Sequence, residues 1–103
     1  VKTYQYVVRL LKAKCPATLP VSVRRVRIPK GHDGLCEIKE EKFLIRIDKN
    51  LLEHEAIETL LHEWAHAIAW PECEHHHSDE WGKAYSQVYR LFLKEFLETP
   101  LEN

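Results

Sequence analysis

Residues 48–70, DKNLLEHEAIETLLHEWAHAIAW, decide how this chain folds and what it can do. Leu52, Ala56, Leu60, Leu61, Trp64, Ala65 and Ile68 recur at the three- and four-residue intervals of one helix face. The pattern predicts a helix that opens between Asp48 and Glu53, runs to about Ala69 and stops at Pro71. Inside it stands His62-Glu63-Trp64-Ala65-His66. Residues i and i+4 of a helix share a face about one turn apart, so two imidazoles placed this way can reach a single tetrahedral zinc ion. Glu63 follows the first histidine directly, where its carboxylate lies beside a metal-held water instead of binding the metal. A metal lowers the pKa of such a water, and the glutamate can take the proton as the water attacks a carbonyl.

Outward from this helix the pattern changes. Upstream, Tyr4, Val7, Val8 and Leu11 have helical spacing over residues 4–14, and Pro16 ends the segment. VSVRRVRI at 21–28 is rich in β-branched residues and predicts a strand, with Arg24-Arg25 breaking the alternation as a bulge or an exposed edge would. PKGHDG at 29–34 is a turn cluster. Two short strands are expected at 35–39 and 43–48, with Glu40-Glu41-Lys42 near the turn between them. Downstream, the polar loop PECEHHHS ends in Ser78, a good N-cap, and Asp79 and Glu80 suit a first helical turn by charge. The last helix is expected from about Asp79 to Leu97, presenting Trp81, Tyr85, Val88, Leu91, Phe92 and Phe96. The order of helix, three strands and two helices predicts an α+β domain: an N-terminal helix, a small three-stranded sheet, the HExxH helix and a C-terminal helix.

A catalytic zinc takes three protein ligands and keeps one position open. His75, His76, His77, Asp79 and Glu80 all follow within reach, with Cys73 as a further candidate. His77 is favoured because it stands immediately before the Ser78 cap, so the start of the last helix would hold it in place. Glu80 is the rival that would make a two-histidine, one-glutamate site. Cys73 would be a fourth ligand that closes the centre. Trp64, Ile68 and Trp81 are expected to pack the two site helices together. Tyr85 or Tyr89 can point a phenol at the metal and stabilise the oxyanion of the tetrahedral intermediate, although core packing accounts for either. His32 and His54 need no function.

The bulk numbers limit the alternatives. The 103 residues fit one domain spanning 1–103. With 45% hydrophobic and 30% charged residues the composition is that of a globular chain. The net charge of −1 gives no global pull toward nucleic acid, anionic membrane or acidic substrate. Arg24, Arg25, Arg27 and Lys30 form a local basic patch that a charge-protected edge strand explains. No apolar run is long enough to cross a bilayer, and the first fifteen residues lack the h-region of a signal peptide. The chain begins with Val1, as an excised domain or processed form would. Cys15, Cys36 and Cys73 are odd in number and widely spaced, which points to reduced thiols and a cytoplasmic protein.

HEWAHAIAW at 62–70 and HSDEWGKAY at 77–85 together resemble the SprT-like and related small zincin metallopeptidases. Their pattern is HExxH, a variable loop, a histidine followed by Gly or Ser, and an aromatic at the start of the next helix. The resemblance covers roughly residues 55–92, with His77, Ser78 and Trp81 matching the second block. It implies zinc ligands at His62, His66 and His77, Glu63 as catalytic acid/base, and a peptide or protein substrate. For some members it implies DNA-linked substrates, but many members carry a C-terminal zinc ribbon or similar extension, and this sequence ends at Asn103 without one. Small gluzincin-like peptidases, which use a downstream glutamate, are the nearest competing relatives. The expected protein is therefore a monomeric Zn2+ metallopeptidase without membrane association, with nucleic-acid binding unsupported by net charge. The alternative is a non-catalytic zinc-binding or partner-binding module, possible for a small core that benefits from a metal staple. The strand at 43–48 is expected to border the cleft and to pair with an extended substrate.

Overall fold

The computed structural model describes residues 3–70 and 77–98. The elements are α1 (Tyr4–Lys14), β1 (Val21–Val26), β2 (Gly34–Lys39), β3 (Lys42–Asp48), α2 (Glu53–Ala69) and α3 (Asp79–Glu98). The α+β order is the expected one. Cys73, His75 and His76 lie outside the described residues, as do the side chains beyond Glu95. Among the described residues no helix is long and apolar enough to cross a membrane.

Strand pairing places β3 in the centre, in the order β1-β3-β2. β1 runs parallel to β3, pairing Val21 with Phe43 through Val26 with Asp48. β2 runs antiparallel to it, pairing Gly34 with Ile47 through Lys39 with Lys42. Both edges of β3 are thus occupied, which corrects the expectation that residues 43–48 pair with substrate. β1 ends at Val26, two residues earlier than expected, where the Lys49 N–H donates to the Val26 carbonyl at 2.9 Å. The break at Arg24-Arg25 marks an edge strand without a bulge, since the register is continuous. Arg24 is exposed, but Arg25 belongs to the scaffold. Its guanidinium donates to the carbonyls of Asp48, Lys49 and Leu51 at 3.1–3.3 Å and lies 4.9 Å over the Tyr4 ring. Burial, partly offset by that guanidinium, pushes the Tyr4 phenol up to about 12.

Phe43, Ile45 and Ile47 alternate along β3 and are buried under the helices. Above them lies α2, buried on nearly every side against α1, β2, β3 and α3. It begins at Glu53, where the Leu52 N–H donates to the Glu55 carboxylate at 2.9 Å. Asp48 does not start the helix; its carboxylate closes a local turn on Asn50 N–H at 3.0 Å. Glu53 also reaches back to accept the Tyr4 N–H at 3.1 Å, tying the start of α1 to the start of α2. Trp64 has no exposed surface, and its indole N–H donates to the Cys15 carbonyl at 2.8 Å. Trp64 therefore pins α2 to the end of α1, whereas the contact with α3 near the site falls to Ile68 and Trp81.

The β2–β3 hairpin turns through Glu40 and Glu41, both with positive φ, at 53° and 61°. A two-residue turn of this hand matches the strand twist but favours Asn-Gly over residues with a Cβ. Replacing Glu40-Glu41 by Asn-Gly is expected to stabilise the fold by about 1 kcal/mol, read as a higher urea midpoint at unchanged slope.

Candidate metal centre

The helical spacing of His62 and His66 brings their rings to 5.2 Å between centroids. The third imidazole comes from the residue before α3. Ser78 Oγ accepts the Trp81 N–H at 3.3 Å, the contact expected of an N-cap, and this fixes where the chain enters the helix. His77 then lies with its centroid 4.8 Å from that of His62 and 5.2 Å from that of His66. One nitrogen of each ring falls within 4.8 Å of the others, so the three histidines could hold a metal ion. Among the described residues no other His, Cys, Asp or Glu joins that group. Asp79 and Glu80 are exposed in the first turn of α3 and stand apart from it.

Trp81 organises the cluster from the α3 side. Its ring centroid lies 5.0, 5.6 and 4.5 Å from those of His62, His66 and His77. Its indole N–H donates to the His62 carbonyl at 3.4 Å, linking α3 to the backbone of α2 at the site itself. The arrangement of the three histidines is therefore held from both helices.

The electrostatics follow from burial. His62 Nε2 and His77 Nε2 are 3.1 Å apart. Two protonated rings would repel at that distance, and burial together with His77 lowers the His62 pKa. Neutral imidazole is the form that binds metal. Glu63 is 8% exposed, and burial pushes its carboxyl up to about 7.

A cavity of about 390 Å³ opens beside His62 and Glu63. α2 contributes Glu58 and Thr59 to its wall, α3 contributes Tyr85, and the segment Gly31–Gly34 faces them. A recess of about 170 Å³ adjoins Glu63 and His66, and His32 and Gly34 line it too. His32 thus faces both sides of Glu63, a placement absent from the expectation that it needs no function. The available signal was a histidine and an aspartate between two glycines in a connecting loop, where functional side chains concentrate. Gly34 was expected in the turn, but it is the first residue of β2. A Cβ there would lie 2.7 Å from Thr59 Cγ2, 3.1 Å from the Arg46 carbonyl oxygen and 3.2 Å from Glu63 Cγ. Only a glycine lets β2 approach α2 this closely beside Glu63.

The family model described as SprT-like matches residues 5–100. Comparison with curated proteins and with solved structures gave no match.

The buried carboxyl makes a signed pH prediction for the metal-free protein. Glu63 rises from 4.5 to about 7 on folding, so between those values the folded chain holds a proton that the unfolded chain has released. Stability is then lost as pH rises through that window. Glu63→Gln stays neutral throughout. With chelator present, its stability relative to the parent is expected to be lowest near pH 4 and to gain on the order of 3 kcal/mol by pH 8. Urea titrations across that range measure the difference, and the His62 titration, common to both proteins, cancels. A difference independent of pH would contradict the assignment.

Proposed function

The chain belongs to the SprT-like family, and on that footing we propose that it is a zinc metallopeptidase, with His62, His66 and His77 as ligands and Glu63 as general base. The observation that carries the reading is the convergence of three imidazoles whose ligand atoms lie within 4.8 Å of one another. Nitrogen-only donors of this number suit zinc, and three ligands leave room for a fourth position. Zinc bound there would acidify a water molecule and polarise a substrate carbonyl.

The chain's own residues supply the rest. Glu63 is adjacent to His62 and lines the cavity beside it, where a peptide carbonyl can be presented. Burial that raises its proton affinity suits it to take a proton from the attacking water and to return it to the amine as the C–N bond breaks. Substrate approach is assigned to β2. Its outer edge carries no strand among the described residues, and Gly34, Leu35 and Cys36 line the recess beside Glu63 and His66. An extended peptide adding to that edge gains main-chain hydrogen bonds and passes the metal centre. The substrate class is therefore a peptide or an extended segment of a protein. The open cavity favours this reading over a closed structural zinc site.

The purified protein is expected to bind about one zinc per chain and to cleave labelled casein. Glu63→Gln should lower cleavage by about 10²–10⁴-fold while keeping its zinc, and His77→Ala should lose zinc on dialysis. Metal analysis and a cleavage assay on the same samples test both. Undiminished cleavage by Glu63→Gln removes the glutamate from the mechanism.

A further inference from the structure

Two tyrosines stand one turn apart on α3, and the structure separates their surroundings. Tyr89 lines a groove between α2 and α3 with His54, Ile57, Leu61 and Phe92, a groove that none of His62, His66 and His77 lines. Tyr85 lines the cavity shared by His62 and Glu63, with its ring centroid 6.4 Å from that of His62. Its ring is stacked on Trp81 at 4.9 Å and 8° between planes, and Trp81 is itself tied to the His62 carbonyl. Tyr89 packs on the other side at 5.7 Å. The Tyr85 ring is thus held in place from two directions. Among the described residues its hydroxyl has no hydrogen-bond partner. Burial, with Tyr89 and Glu58 adding to it, raises the phenol pKa.

We propose that Tyr85 is a catalytic residue, its hydroxyl donating a hydrogen bond to the oxygen of the scissile carbonyl as that oxygen gains negative charge. The assignment rests on the peptidase reading above and deepens it. In the step served, the water oxygen bonds to the carbonyl carbon and the water's proton passes to Glu63. The same proton reaches the leaving amine as the C–N bond breaks. The phenol keeps its own proton and contributes only the hydrogen bond. A fixed donor aimed at developing charge costs no reorganisation during the reaction, and removing one such donor typically lowers turnover by about 10²–10³-fold.

Tyr85→Phe keeps the ring against Trp81 and removes only the donor. It is expected to lower kcat on a fluorogenic peptide by about 10²-fold with KM within about twofold, while zinc content and melting temperature stay at the parent values. Tyr89→Phe should retain the parent kcat. Binding supplies a readout independent of turnover. On the zinc-loaded Glu63→Gln background, Tyr85→Phe should weaken a phosphonamidate peptide, which mimics the tetrahedral carbon, by about 30-fold or more, and the matching uncleaved peptide by less than about twofold. Equal effects on both ligands, or parent-level kcat in Tyr85→Phe, would overturn the Tyr85 assignment and leave the peptidase reading standing. A zinc-loaded parent that cleaves neither casein nor the fluorogenic peptide would overturn the peptidase reading, and the role of Tyr85 with it.

Discussion

The structure depends on burying a helix that carries polar groups into the interior. α2 packs against α1, the sheet and α3, yet Glu63 and His66 lie among its buried residues. Burying a carboxyl and an imidazole costs free energy unless each finds a partner or becomes neutral. Glu63 responds by holding its proton more tightly. Polar side chains are kept there at a cost to the core, which is the pattern expected where chemistry takes precedence over stability. The apolar remainder of α2 offsets that cost. Leu60, Leu61, Trp64 and Ala67 have no exposed surface, and each buried side chain of the larger kind contributes about 1.5–3 kcal/mol.

Two close approaches then shape the space around the buried pair. On the sheet side, Gly34 lets the first residue of β2 lie beside Thr59 and Glu63, closer than any side chain would permit. On the α3 side, Trp81 bridges the helices through its hydrogen bond to the His62 carbonyl and its contacts with all three histidine rings. The first approach brings the free edge of the sheet to the cavity. The second sets the distance at which His77 meets the pair on α2. Both contacts border the polar face that the HExxH spacing defines, and both decide whether that face opens onto a usable cleft.

These features differ in how visible they were in the amino-acid sequence. The α2 periodicity and the i, i+4 histidines are local, so their shared face followed from helix geometry alone. His77 was legible because a good N-cap, Ser78, stands directly after it, and caps fix chain direction within a few residues. The strand order was not legible. Periodicity marks strands without saying which pairs with which, and the 43–48 strand proved central, with Phe43, Ile45 and Ile47 buried on the face beneath the helices. Arg25 was hidden for a similar reason. A charged residue in an edge strand implies solvent, whereas its guanidinium satisfies three carbonyls at the end of β3 and just after it.

His32 and Tyr85 show how tertiary placement separates residues of the same chemical type. Seven histidines and four tyrosines occur in the chain, and residue type alone ranks none of them. His32 reaches the cleft because Gly31, with φ of 95°, and Gly34 bracket a short turn that meets α2 at Glu63. Tyr85 and Tyr89 differ by one helical turn, and that rotation and rise divide a wall shared with Glu63 from a groove lined by Ile57 and Leu61. The same stack that orients Tyr85, through Trp81, also contacts His77. A change at Trp81 would therefore move His77 and the phenol together. The start of the last helix thus carries three neighbouring groups, with His77 at its cap, the bridging indole in its first turn and the Tyr85 ring in its second.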